Sequence, residues 1–279
     1  VELDELKVTR YQVADRIATI TLSRPERLNA WTGRMHTEYR ALLLRAAGDA
    51  TVRVIVVTGD GRGFCVGADA RALEGHVERG SYDAGVSADI AKPGYGVRPE
   101  FDADFAYHFG IPKPIIAAIN GPAAGVGLVL ACYCDLRFAA SGVKLTTSHG
   151  RLGLPAEYGL SWLLPRLIGV TRANDLLLSS RVVLSEEAAQ MGLVNRVVPP
   201  EELLTVTYEY SRMLATEVAP TSMAVTKLAL YGDLHGDVAS SVNDAGARMS
   251  TMMQGADFAE GVAALSERRA PHFPDAPSN

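Results

Sequence analysis

The chain has 279 residues, is 48% hydrophobic and 21% charged, and carries a formal net charge of -5. That is enough apolar material for a large buried core in one or two domains. The absence of a basic stripe argues against nucleic-acid binding, and the absence of a long uninterrupted apolar run argues against a transmembrane helix. The opening "VELDELKVTR" lacks the charged start and apolar middle of a secretion signal. Cys65, Cys132 and Cys134 read as reduced thiols of a cytoplasmic protein rather than a disulfide framework. Cys132-x-Cys134 has no second pair to complete a metal set, so both read as small buried side chains.

In chain order, "KVTRYQV" and "IATITL" read as strands joined by a turn at Ala14-Asp15-Arg16. Thr32 is an N-cap for a helix over 33–47, with Met35, Tyr39, Leu42, Leu43 and Ala46 at helical spacing. "VRVIVVT" is apolar throughout, as a strand covered on both faces should be. Strand, helix, strand in this order predicts a parallel sheet with right-handed crossovers. Residues 75–113 are rich in glycine, aspartate and proline; they read as a mobile excursion or lid with a short helix near Phe101–Phe109. "PIIAAI" is a further apolar strand, followed by a helix "LVLACYC" and short strands at "LRFAA" and "KLTT". Helices are expected over 159–168, 171–180, 185–191, 201–218, 221–231 and, with breaks, 236–269, with one strand at "LVNRVV". The chain thus divides into an α/β core, residues 1–195, and a helical region, residues 196–279.

One device occurs twice: an apolar strand, a glycine-rich turn and a helix start, in "VIVVTGDGRGFCVGAD" and in "IIAAINGPAAGVGLVL". A helix N-terminus presents unpaired N–H groups and partial positive charge, and two such turns from neighbouring parallel strands can aim N–H donors at one point. Donors so arranged stabilise an oxyanion. The loops lack the Gly-Lys-Ser/Thr ending of a phosphate loop, the G-x-G-x-x-G of a dinucleotide site and the G-x-S-x-G of a serine hydrolase.

The succession "LSRPERLNA", "GDGRGFCVGAD", "KPIIAAINGPAAGVGLVLACYCDLRFAA", "GLPAEYGLSWLLPRLIG", "SEEAAQMGLVNRVV" and "SERRAPHF" resembles the crotonase superfamily of enoyl-CoA hydratases and isomerases from about Val8 to Phe273. The resemblance implies an α/β spiral of ββα units with a helical C-terminal trimerisation region, and a homotrimer or homohexamer as the assembly. It implies an acyl-CoA thioester as substrate, with coenzyme A part of that substrate and no permanently bound cofactor or metal. It places oxyanion-hole N–H groups at Ala68 and at Val126, where the family usually has glycine. It places coenzyme A contacts at Ala68, Asp69, Ala70 and Arg71, with further contacts from Glu26, Arg27 and Leu28. Arg268 and Arg269 match a basic pair that approaches the coenzyme A phosphates across a subunit interface.

The family's hydratases hold one water between two glutamates, whose matching positions here are Val129 and His149. Valine transfers no proton; histidine can, since imidazole titrates near neutrality. Glu157, in "GLPAEYG", matches the single glutamate of Δ3,Δ2-enoyl-CoA isomerases, whose local pattern is also G-L-x-x-E-x-G. One carboxylate suits a double-bond shift, and burial against Tyr158 or Trp162 would raise its pKa. Isomerisation through Glu157 is therefore the first expectation. Hydration by His149 with Glu157, carbon–carbon bond hydrolysis, and coenzyme A binding without turnover remain as alternatives. Asp83, Asp89, Asp102 and Asp104 are further acids in the excursion.

Overall fold

The computed structural model describes residues 3–69, 74 and 99–275. β1 (Thr9–Ala14) and β2 (Ile17–Leu22) pair as a hairpin with Ala14 opposite Ile17. The two turn residues, Asp15 and Arg16, take φ of 52° and 63°, the left-handed pair that matches a tight hairpin to strand twist. α1 (Gly33–Gly48) follows, its first turn capped by Thr32 Oγ1, which accepts the Met35 N–H at 3.1 Å; such a cap contributes about 1 kcal/mol. Glu38 of α1 is buried and accepts from the N–H groups of Lys7 and Val8 and the Thr9 hydroxyl. These bonds fix α1 against the start of β1 and, with Arg34, hold the carboxyl below its ordinary pKa despite burial.

β3 (Val54–Gly59), β4 (Ile115–Ile119), β6 (Leu136–Ala140) and β9 (Arg196–Val198) continue the sheet in the order β1-β2-β3-β4-β6-β9, parallel from β2 onward. Val54 to Val57 and all of β4 are buried, as expected for strands with both faces covered. α6 (Leu203–Glu217) packs across β2, β3, β4 and β6.

A second, parallel layer grows from the segments that follow these strands. β5 (Ala123–Ala124) pairs with β7 (Lys144–Thr146), which pairs antiparallel with β8 (Val183–Leu184). Cys65 bridges Ala123 and Trp31 bridges Ala68, both in parallel. The stretches after β2, β3, β4 and β6 therefore lie side by side, one layer removed from the strands they leave. This repetition of strand, strand and helix is the spiral expected from the sequence. The helices are α2 (Val126–Tyr133), α3 (Leu160–Ile168), α4 (Val170–Ser179), α5 (Ser185–Met191), α6, α7 (Pro220–Asp233), α8 (Val238–Met252) and α9 (Ala256–Glu267). No helix of the described residues is long and apolar enough to cross a membrane.

Two departures from the sequence reading have physical causes. α2 begins at Val126, two residues before the expected start, because Gly127 is needed inside the helix: a Cβ there would lie 2.0 Å from the Cys65 carbonyl oxygen. The expected helix at Phe101–Phe109 is instead two 3-10 turns, Pro99–Phe101 and Ala106–Gly110, separated by Phe105 at φ 63°. That part of the excursion is no loose lid, since Phe101, Phe105, Tyr107 and Phe109 are buried. Residues 75–98, which carry Asp83 and Asp89, lie outside the described residues. The break expected within 236–269 falls at Met253–Gly255, between α8 and α9.

Candidate active site

The two glycine turns meet. Cys65 N–H donates to Pro122 O and Cys65 O accepts from Ala124 N–H, at 3.2 and 3.0 Å. Two asparagines hold the first turn in shape. Asn29 Nδ2 donates to Gly63 O and Asp60 O while its Oδ1 accepts the Arg24 N–H. Asn120 Oδ1 accepts the Gly59 N–H, and its Nδ2 donates to Gly61 O. Close approach requires glycine at Gly59, where a Cβ would sit 2.2 Å from Gly63 O. It also requires Gly67, at φ 102°, a conformation side chains resist.

Main-chain directions follow from this pairing. Trp31 N–H donates to Gly67 O at 2.7 Å and Trp31 O accepts from Asp69 N–H at 3.0 Å. Along an extended chain successive peptide groups face opposite sides, so the Ala68 N–H faces away from Trp31 and toward the side on which Cys65 bonds the 122–124 segment. That segment ends at Gly125, with φ 50° and ψ -124°, and Val126 is the first residue of α2. A first-turn N–H has no intrahelical acceptor. Among the described residues, neither the Ala68 N–H nor the Val126 N–H has an acceptor.

Glu157 completes the junction. A Cβ on Gly125 would lie 3.7 Å from Glu157 Oε2 and 3.8 Å from Gly67 Cα. The carboxyl group thus stands over the point where the two turns touch. Glu157 is half-buried, and desolvation raises its pKa above the ordinary 4.5, opposed in part by the nearby His149. Its backbone is held by Tyr158 at φ 47° and by the Tyr133 hydroxyl, which donates to Tyr158 O at 2.7 Å. The Trp162 ring stacks on His235, and the Phe105 ring lies 5.0 Å from the Tyr158 ring.

His149 is buried, with Nε2 3.1 Å from Leu177 O. A carbonyl only accepts, so Nε2 donates to it, and Nδ1 is buried without a hydrogen-bond partner. Val129 is buried on α2 and contributes no polar atom. Arg27 is exposed on a 3-10 turn, and Leu28 follows it at φ 47° with its carbonyl accepting the Val66 N–H at 3.3 Å. Asp69 is ion-paired to Arg24 at 3.0 Å. Ala70 and Arg71 lie outside the described residues. Arg268 closes α9 in a left-handed cap, and Arg269 is paired to both Glu260 and Glu267. Asp102 is exposed, whereas Asp104 lies 3.7 Å from His36 Nε2. Burial pushes the Cys65 thiol up to about 12 and Cys132 to about 11, which keeps them protonated.

The reading of the sequence did not identify Asn29, Asn120, Trp31 or His36 as parts of this region. The asparagines carried a signal, each standing directly beyond an apolar strand or turn in "LNA" and "ING". Trp31 and His36 carried none, since an aromatic and a histidine at a helix start are ordinary core residues.

The model of the family described as enoyl-CoA hydratase/isomerase matches residues 12–276. The chain belongs to that family. It is 38% identical over 268 residues to a Mycobacterium tuberculosis protein named probable enoyl-CoA hydratase echA12, covering 93% of this chain and 90% of that one. It is 33% identical over 258 residues to the 1,2-epoxyphenylacetyl-CoA isomerase of Escherichia coli K12, covering 92% and 94%. Among solved structures, the enoyl-CoA hydratase from Bacillus anthracis superposes with a TM-score of 0.83 at 27% identity, over 96% of this chain and 99% of that one. The fold is that of the crotonase superfamily, and the protein is an enzyme of the hydratase/isomerase type.

Proposed function

We propose that the enzyme binds an acyl-CoA thioester with its carbonyl oxygen between the Ala68 and Val126 N–H groups, and isomerises a 3-enoyl thioester to the 2-enoyl form. Polarisation by the two donors acidifies C2. Glu157 takes the C2 proton, the electron pair moves into a dienolate whose oxygen is held by the two amides, and Glu157 returns the proton at C4. No water is consumed, and the carboxylate is regenerated. A raised pKa suits this work, because the group must both accept and release a proton near neutrality. Each oxyanion donor contributes on the order of 3 kcal/mol to such a transition state.

The observation that carries this reading is the Glu157 carboxyl over the junction of the two turns, with apolar Val129 on the neighbouring helix. Val126 supplies a backbone proton as glycine would. Ala68 to Arg71, with Arg27 and Leu28, form the coenzyme A side of the proposed site. We place the subunit contact of a trimer on α8 and α9, within the helical region after residue 195. There Val238, Val242, Met249, Val262 and Leu265 are all exposed.

A second reading, hydration of a 2-enoyl thioester, is favoured by one observation. The Nδ1 atom of His149 is buried without a hydrogen-bond partner, and the residue is close enough to Glu157 to affect its titration. The two groups would then hold a water between them. Incubation with a 3-enoyl-CoA in D2O separates these. Isomerisation predicts the 2-enoyl product, with deuterium at C4 to the extent that Glu157 exchanges its proton with solvent before returning it. Loss of the enoyl absorbance of crotonyl-CoA without such exchange would replace it with hydration.

A further inference from the structure

The mechanism leaves one cluster unused. Trp31 is 6% exposed and His36 2% exposed, yet the indole Nε1 and the imidazole Nε2 are both buried without a hydrogen-bond partner. A buried N–H left unpaired costs about 1–3 kcal/mol, and the indole N–H can only donate. The Trp31 ring lies 5.8 Å from His36 and 5.7 Å from Phe105, and Phe105 lies 5.0 Å from Tyr158. Trp31 is also the residue bridged to Ala68, and Tyr158 directly follows Glu157. The aromatic arc Trp31–Phe105–Tyr158 therefore links the residue bridged to Ala68 with the residue that follows Glu157.

The geometry points to a hydrogen-bonding subsite in the acyl pocket, in which the Trp31 indole N–H donates to an uncharged oxygen on the acyl chain of the thioester. This rests on the acyl-CoA reading above and narrows its substrate class. The oxygen belongs to the acyl chain, since the thioester carbonyl is taken by the Ala68 and Val126 N–H groups. It is uncharged because Asp104 Oδ1 stands 3.7 Å from His36 Nε2, and burial depresses the His36 pKa to about 4. The ring is then neutral at pH 7 and supplies no positive charge to offset an acyl carboxylate. The flat rings of the arc favour unsaturated or cyclic acyl groups around that oxygen.

The test measures binding of coenzyme A, hexanoyl-CoA, 4-oxohexanoyl-CoA and 5-oxohexanoyl-CoA by calorimetry, to the full chain and to Trp31→Phe. One oxo form is expected to bind the unaltered enzyme about tenfold more tightly than hexanoyl-CoA. Trp31→Phe is expected to abolish that preference while keeping hexanoyl-CoA affinity. In 15N-indole spectra of Trp162→Phe, the Trp31 N–H signal should move downfield with the preferred oxo form and stay in place with hexanoyl-CoA. This readout stands even if Trp31→Phe fails to fold. Equal binding of all three thioesters, an oxo preference that survives Trp31→Phe, or an indole signal that moves equally with hexanoyl-CoA would overturn the inference and assign the N–H to water. If coenzyme A and hexanoyl-CoA themselves do not bind, the acyl-CoA reading fails instead.

Discussion

Gly127→Ala tests whether the enzyme depends on how closely its two turns approach. The added Cβ would lie 2.0 Å from Cys65 O and 2.8 Å from Cys65 C, and no real Cβ contact is shorter than about 3.0 Å. The obstacle is backbone, which cannot swing aside as a side chain would. The start of α2 and the 64–68 turn must therefore part by about 1 Å, stretching the Ala124 N–H to Cys65 O bond from 3.0 Å and carrying the Val126 N–H away from Ala68. A misplacement of that size at a reacting centre lowers turnover by about 100-fold, and the strain costs about 1–3 kcal/mol of stability. Steady-state kinetics on a 3-enoyl-CoA, with thermal unfolding in parallel, reads both. Gly48→Ala is the control, because nothing lies within 4 Å of a Cβ there. A folded Gly127→Ala enzyme with kcat within about twofold of the parent would refute the argument that backbone apposition sets the rate.

Glu157→Gln should lower kcat by about 10²–10⁴ while leaving coenzyme A affinity unchanged, measured by turnover and calorimetry; normal turnover would make Glu157 structural. Because the folded pKa of Glu157 is raised, the native state binds more protons than the unfolded one above pH 4.5, and this group's contribution to stability falls as pH rises. Glu157→Gln should therefore raise Tm at pH 7 and lose that advantage below pH 4.5, read by calorimetry. His36 and His108 have the opposite sign. Burial depresses them from 6.5 to about 4 and about 3, so their contribution is intact above pH 6.5 and declines as acid charges the unfolded chain. His36→Gln should flatten the loss of Tm between pH 6.5 and 4. Asn120→Ala removes the acceptor for Gly59 N–H and the donor to Gly61 O. It should cost about 1–3 kcal/mol in urea unfolding and depress kcat as well.

The fold was legible wherever local chemistry and burial agreed. The apolar runs of β2, β3 and β4, the Thr32 cap and the end of the 185–191 helix stand where the residue pattern places them. What periodicity misses is contact between distant segments. Gly127 reads as part of the turn before the helix, yet it sits inside α2, where Cys65 O occupies the space a side chain would take. Phe105 reads as part of a helix, yet its φ of 63° turns the chain into the core. Glu157 was legible through its motif, but its place over Gly125 arises from the turn at Tyr158 and Gly159, which no spacing rule encodes. Trp31 and His36 were illegible because an unpaired buried N–H is a property of the packed molecule.

The most direct test of the central claim is a crystal structure of Glu157→Gln with an unreacted 3-enoyl-CoA bound. The account predicts the thioester oxygen within about 2.7–3.1 Å of both the Ala68 and Val126 nitrogens, with C2 beside residue 157. A thioester oxygen facing solvent, or bonded to a side chain with the two amides turned elsewhere, would contradict it.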